Sequence, residues 1–268
     1  MAEGLAKTKK IYIMKEFFNY FFGKGDEIEF TNFSFAHFIP LILLGVVIFL
    51  IIRYKDKIKE FKHEKTIRMT LAFMLIICEM SYFWRLVGVP SLNPNPVDHL
   101  PITVCGWAVV FASYLMVTKS QTLFDIIYFW LLSGTLISIF TPSAVLSFTG
   151  PTRFRYYQFW FEHTLGFVAL FYMMFVHKMR PRWISMAKSA IALLILAVIA
   201  FSANEILGPG ANYLFLAKPE DTPSILDILP SNMALRMLIM ASVISAFFFL
   251  AYLPWLLLDR KQSKITNK

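Results

Sequence analysis

The chain has 268 residues, of which 57% are hydrophobic, 17% aromatic and only 16% charged, with a formal net charge of +9. A soluble domain carries an apolar share nearer a half and a charged share nearer a quarter, so this composition excludes a soluble protein and reads as an integral membrane protein. The positive charge is accounted for by a membrane surface and calls for no nucleic acid.

Residues 1–30 lack the long apolar core of a signal peptide, because Lys15, Glu16 and Asn19 interrupt it. Ile11, Met14, Phe17, Phe18, Phe21 and Phe22 recur at helical spacing. This predicts an amphipathic segment that lies in the interface or caps a bundle.

Seven stretches then approach the roughly 20 mostly apolar residues of a membrane span, about 17 at the short end. They are residues 37–53, 67–87, 101–117, 123–140, 156–176, 184–204 and 233–258. The expected fold is all-α: a polytopic membrane protein with seven transmembrane helices over residues 31–259 and a basic tail over 260–268. The third and fourth spans are near the lower length limit and only 118–122 separates them.

Lysine and arginine in short loops resist translocation and so set orientation. The loops after spans one, three and five, together with the C-terminus, carry fifteen of them. The opposite loops hold Arg153, Arg155 and Lys218, with five lysines in the N-terminal segment. The N-terminus is therefore read as outside and the C-terminus as cytoplasmic, and the long outer loop 205–231, with Tyr213, Leu214, Phe215 and Leu216, as folded back on the bundle.

An ionisable group facing hydrocarbon costs at least about 2.5 to 3.5 kcal/mol, so such residues turn toward partners or a wet cavity. With alternating span directions, the outer halves collect His37, Arg85, His99, Cys105, Gln158, Glu162, His163, Asn204, Glu205 and Arg236, while Glu79 lies near the middle of span two. The inner halves offer Asp125 and Lys188, both near helix ends where water is in reach. A lopsided distribution of this kind implies an outward-opening polar cavity.

Cys105 and His163 fall at compatible depths on separate spans. A cysteine acts as its thiolate, and a neighbouring imidazole favours that form and can protonate a leaving group, so the pair suits acyl transfer through a thioester. Cys78, among Ile76, Ile77 and Met80, reads as a packing residue, and its level differs from that of Cys105, which disfavours a disulfide. Glu162 and His163 are neighbours about 100° apart on a helix, so only one can face a narrow site squarely. His163 is assigned the chemistry and Glu162 a pairing with Arg155; the reverse assignment stays open. Glu79 reads as a buried acid, a histidine orienter, an ion ligand, or a structural partner of Arg85 or Arg236. His37, His99, His163 and Glu79 are residue types that hold zinc or iron, but no HExxH or close histidine pair supports a metal, and no cofactor is expected.

Several segments together resemble one family. They are His37 after Ser34, the run Leu100, Pro101 and Cys105, and Tyr128 to Trp130 with Gly134, Thr141 and Pro142. Arg153 and Phe154 with Gln158, Phe159 and His163 continue the match, as do Asn212 to Leu216 with Lys218, Pro219, Leu226 and Asp227. In order along the chain these are similar to the bacterial YwaF-like integral membrane proteins, which in turn resemble a eukaryotic transmembrane acyltransferase that moves acyl chains between phospholipids through a cysteine. The resemblance implies that Cys105 is that thiol, that His163 is the histidine of the fifth span, and that His37 and Asn212 occupy family positions.

The reading is a membrane-embedded acyltransferase or acyl hydrolase of the bacterial plasma membrane, with membrane lipids as both substrate and solvent and a site open to the outer leaflet. Cys105 would attack, His163 would carry the proton, and His99 or Asn212 would offer a donor to the oxyanion. Glu79, Arg85, Gln158, Glu162 and Arg236 would support or bind. The alternative is a non-enzymatic seven-helix receptor or transporter with fixed charges at Glu79, Arg85 and Arg236. Ion conduction through Glu79 fits poorly with the apolar inner halves.

Overall fold

The computed structural model describes residues 2–24, 30–142, 149–218 and 228–266, with side chains described for 9–24, 30–142, 149–218 and 228–261. Pro219, Leu226 and Asp227, three of the residues carrying the resemblance, lie outside the described residues. The chain runs α1 (Ala2–Phe22), α2 (Phe35–Glu60), α3 (Glu64–Gly88), α4 (Val104–Thr118), α5 (Gln121–Trp130), a π-helical turn (Leu131–Thr135), α6 (Leu136–Phe140), α7 (Phe154–Phe175), α8 (Trp183–Leu207) and α9 (Met233–Thr266). No strand occurs among the described residues.

Among the described residues, five helical stretches are long and apolar enough to cross a membrane: Phe35–Glu60, Glu64–Gly88, Gln121–Phe140, Trp183–Leu207 and Met233–Lys261. α4 is apolar but only 15 residues long. α7 has the length, 22 residues, yet it carries Arg155, Gln158, Glu162 and His163 in its first three turns and is not among the five. Each stretch expected to span is helical, and this is an all-helical integral membrane protein.

The two helices outside that set of five lie at the centre. α4, α5 and α7 are the most buried, with Ala108, Ala112, Leu115, Phe124, Phe129, Phe159 and Leu170 withdrawn from the surface. α2, α8 and α9 instead present Ile42, Leu43, Phe49, Leu194, Ile195, Leu238 and Leu250 outward. An apolar exterior this extensive is stable only against lipid. α7 approaches α5 closely because residue 166 is glycine; a Cβ there would stand 3.1 Å from Leu131 Cδ2.

Two irregularities are written in the residues. Pro40 has no N–H for the carbonyl of Ala36, four residues back, and that carbonyl accepts the Tyr156 hydroxyl at 2.5 Å, tying α2 to α7. At the basic end, the loose carbonyls of the last turn of α4 are capped by Arg68, which donates to Met116 O and to Val117 O.

Asp125 is fully buried, which corrects the expectation that it reaches water: Lys188 Nζ lies 2.7 Å from Oδ2 and Gln121 Nε2 2.7 Å from Oδ1. A carboxylate beginning α5 was withdrawn from solvent because α8 brings its own cation alongside. The loop after α8 does fold back. Asn204 clamps Tyr213 through both backbone groups at 3.1 and 2.7 Å, and the Tyr213 hydroxyl donates to Val97 O and accepts from Leu100 N.

Candidate functional site

The site begins with a helix cap. Thr103 takes an extended conformation and its hydroxyl accepts from Gly106 N at 3.1 Å, so α4 starts at Val104. Cys105 therefore sits in the first turn of α4, where the sequence alone suggested a helix beginning earlier, at Pro101. This is the positive end of the helix, which favours a thiolate. The residue is partly buried.

Two hydroxyls approach the sulfur from the neighbouring span. Thr135 Oγ1 lies 3.6 Å from Cys105 Sγ and Ser138 Oγ 3.9 Å. The π turn at Leu131–Thr135 inserts an extra residue into this helix just ahead of Ser138, a distortion that proteins concentrate at functional sites. A Cβ on Gly134 would lie 3.9 Å from Val104 Cγ1, an ordinary van der Waals contact, so the start of α4 packs against the π turn here.

His163 comes from α7 and is 5% exposed. Its Nδ1 lies 2.8 Å from Phe159 O. A carbonyl can only accept, so Nδ1 carries the proton in the neutral ring and Nε2 keeps the lone pair. The Cys105 thiol and this imidazole are close enough to interact electrostatically, while the hydroxyls at hydrogen-bond distance from the sulfur are those of Thr135 and Ser138. The two residues expected to act together are thus neighbours, with the ring's tautomer set as a base requires.

Glu162 turns away from the sulfur and into a relay. Gln158 Nε2 donates to Glu162 Oε2 at 2.6 Å, and Arg155 Nη1 donates to Gln158 Oε1. Glu162 and Arg155 were expected to pair directly; Gln158 stands between them, because i−3 and i−4 steps are the ones a helix brings together. The Arg155 guanidinium in turn lies over the Tyr82 ring at 4.8 Å, and the Tyr82 hydroxyl meets His99 Nδ1 at 2.8 Å. His99, in the loop before α4, has its pKa lowered, first by burial and then by the Arg155 and Arg85 charges, against the opposing pull of Asp98.

Glu79 is buried, and it reaches the start of α4. Its Oε1 lies 2.7 Å from where a Cβ on Gly106 would be, so glycine is what lets the carboxylate approach. Its expected ion-pair partners are elsewhere. Arg85 donates to Phe22 O at 2.7 Å and Gly23 O at 2.8 Å, closing the C-terminal end of α1. Arg236 is 1% exposed, and its Nε and Nη2 have no hydrogen-bond partner among the described residues.

The remaining expected residues build the frame. His37 is fully buried, with Nδ1 accepting from Phe33 N at 2.9 Å, which fixes the entry to α2, and Nε2 2.9 Å from Ile139 O, which joins α2 to α6. Asn212 Nδ2 donates to Lys218 O at 3.0 Å, and its Oδ1 accepts from Ala217 N and Lys218 N. It folds its own loop. Thr135, Ser138 and Tyr82 were not singled out from sequence.

The fold and site define a helical integral membrane protein that carries a thiol and an imidazole together at one end of its bundle. The chain belongs to the TMEM164 family, whose model matches residues 32–252. No curated protein and no solved structure matches it.

Proposed function

We propose that this protein transfers or hydrolyses fatty acyl groups of phospholipids through a thioester on Cys105. The observation that carries the reading is the partnership of Cys105 with His163, whose Nδ1 is occupied by Phe159 O. In the first half-reaction the imidazole Nε2 takes the thiol proton as Sγ attacks the ester carbonyl. The C–O bond breaks, and the imidazolium returns the proton to the leaving lysolipid oxygen. In the second, a lysolipid hydroxyl or water gives its proton to the imidazole and attacks the thioester, which releases the acyl product and restores the thiol.

The oxyanion of each tetrahedral intermediate needs preplaced donors. The first-turn amides of α4 suit this better than Asn212, whose side-chain amide is bonded within its own loop; His99 meets Tyr82 through Nδ1. Val104 N and Cys105 N precede any carbonyl four residues back within the helix. The Thr135 hydroxyl steadies the sulfur.

The wider reading is a bundle of seven spans, with α4, α5 and α7 crossing inside a sheath of the other four apolar helices, the N-terminus outside and the basic end cytoplasmic. The N-terminal segment, residues 1–30, packs its Phe21 and Phe22 rings against Phe154 at the outer boundary. Residues 31–259 form the membrane domain and 260–268 a basic tail, in a bacterial plasma membrane. The buried Arg236, whose Nε and Nη2 have no hydrogen-bond partner among the described residues, supports ligand recognition by the same bundle.

The test is exchange of a labelled acyl chain between two phospholipid species in vesicles containing the protein. Exchange above that of empty vesicles, abolished in Cys105→Ala and in His163→Gln, is the expected outcome. Exchange that persists in folded Cys105→Ala overturns the reading.

A further inference from the structure

At the end of the bundle opposite Cys105, a cavity of about 280 Å³ opens between α2, α9 and the turn after α7. Met174 in its wall is eleven residues beyond His163 on the same helix, about 16 Å along the axis. Its rim carries Lys55, Lys178 and Arg180, and its wall is made by Met174, Phe175 and Trp255.

The three cations are not equivalent. Arg180 grips both carboxylate oxygens of Asp259 at 2.7 and 2.8 Å and lies over the Trp255 ring at 5.6 Å, so it is fixed and largely neutralised. Lys55 and Lys178 have no carboxylate partner among the described residues. Lys178 is held in place by its backbone: it adopts a left-handed conformation, φ 57°, and the next amide, Met179 N, returns to Met173 O at 3.1 Å. Two unneutralised ammonium groups therefore face one recess whose other side is thioether, phenyl and indole.

We propose that this recess binds an anionic phospholipid, its phosphate between Lys55 and Lys178 and its acyl chain along Phe175 and Trp255. Charge complementarity selects an anion, and basic recesses between spans at a membrane surface hold anionic headgroups in this way. The apolar wall selects a lipid over free phosphate, which would leave that wall uncovered. The site is separate from Cys105 and stands or falls independently of acyl transfer.

The test uses the full chain purified in neutral detergent, with retained lipid measured by native mass spectrometry. The lipids offered are phosphatidylglycerol and phosphatidylcholine in equal amounts. Phosphatidylglycerol is expected to be retained preferentially. In the double variant Lys55→Gln, Lys178→Gln its retention should fall about thirtyfold, each lysine near a lipid surface contributing a factor of about five. The pair Lys62→Gln, Lys65→Gln, on exposed positions of the same basic end, should leave retention unchanged. Equal loss in both double variants would mean a diffuse basic surface and overturn the site. So would unchanged retention in the first, or displacement of the lipid by excess inorganic phosphate.

Discussion

The Thr135 hydroxyl stands 3.6 Å from the Cys105 sulfur and is the donor nearest to it from the π turn of the fourth expected span. A hydrogen bond to a charged acceptor contributes about 1.5 to 3 kcal/mol, more than a neutral one. Thr135→Val keeps the shape and removes the donor. Labelling of Cys105 by a lipid-soluble maleimide should slow by about tenfold or more, Thr135→Ser should recover most of the rate, and thermal stability should change little.

Gly106 is the second point at which the site is sensitive to one atom. A methyl group there would lie 2.7 Å from Glu79 Oε1 and 2.8 Å from Thr103 Oγ1. Both are side-chain atoms, so Gly106→Ala should fold, with the carboxylate displaced and the α4 cap loosened. Loss of an N-cap costs about 1 kcal/mol. Acyl exchange should fall by about tenfold or more, while the melting temperature drops only a few degrees; a loss of folding without a separate loss of activity would contradict the role given to this contact.

The elements that sequence reveals best are those fixed by apolar length, and all seven stretches are helical for that reason. The start of α4 was placed at Pro101, because the run Pro101, Ile102 looked like a first turn, whereas Thr103 caps the helix at Val104. The π turn was not readable. Nothing in Leu131 to Thr135 distinguishes an extra residue from regular helix, since the register shift comes from packing against α4 and α9. The expectation that Cys105 and His163 pair rested on compatible depth, on their chemistry and on the family resemblance, whereas the Arg155, Gln158, Glu162 relay depends on rotamers that spacing does not set. Asp125 shows the same limit: its position near a helix end suggested water, and only the crossing of α8 supplies Lys188.

The Asp125 and Lys188 pair should matter for stability away from the site. Asp125 is fully buried and Lys188 is its one cation among the described residues, at 2.7 Å. Breaking a buried pair from one side leaves an uncompensated charge and typically costs about 3 to 5 kcal/mol, toward the low end here because the lysine is partly exposed. Lys188→Met should lower the unfolding free energy in detergent by about 3 kcal/mol, and Asp125→Asn combined with Lys188→Met should recover part of the loss.

His177, in the turn after α7, gives the basic end a pH dependence. Its Nδ1 is 2.9 Å from Lys59 Nζ and its Nε2 2.7 Å from Glu64, so it is a neutral ring that accepts from an ammonium and donates to a carboxylate. Burial and then the Lys59 charge lower its pKa from 6.5, against the pull of Glu64. With the folded value below the unfolded one, the unfolded chain binds the extra proton first. The stabilisation is complete above about pH 6.5 and is lost as pH falls toward the folded value. The melting temperature should decline from pH 7.5 to 5.5, and His177→Gln should flatten that part of the profile; an identical profile in the variant would contradict it.

The most direct measurement is mass spectrometry of the peptide containing Cys105 after brief incubation of the purified protein with mixed phospholipids and an acid quench. A fatty acyl mass on Cys105, removed by hydroxylamine and missing from His163→Gln, is the predicted result. A folded protein whose Cys105 peptide stays unmodified while its lipids turn over, or whose acyl mass sits on Cys78, would contradict the account.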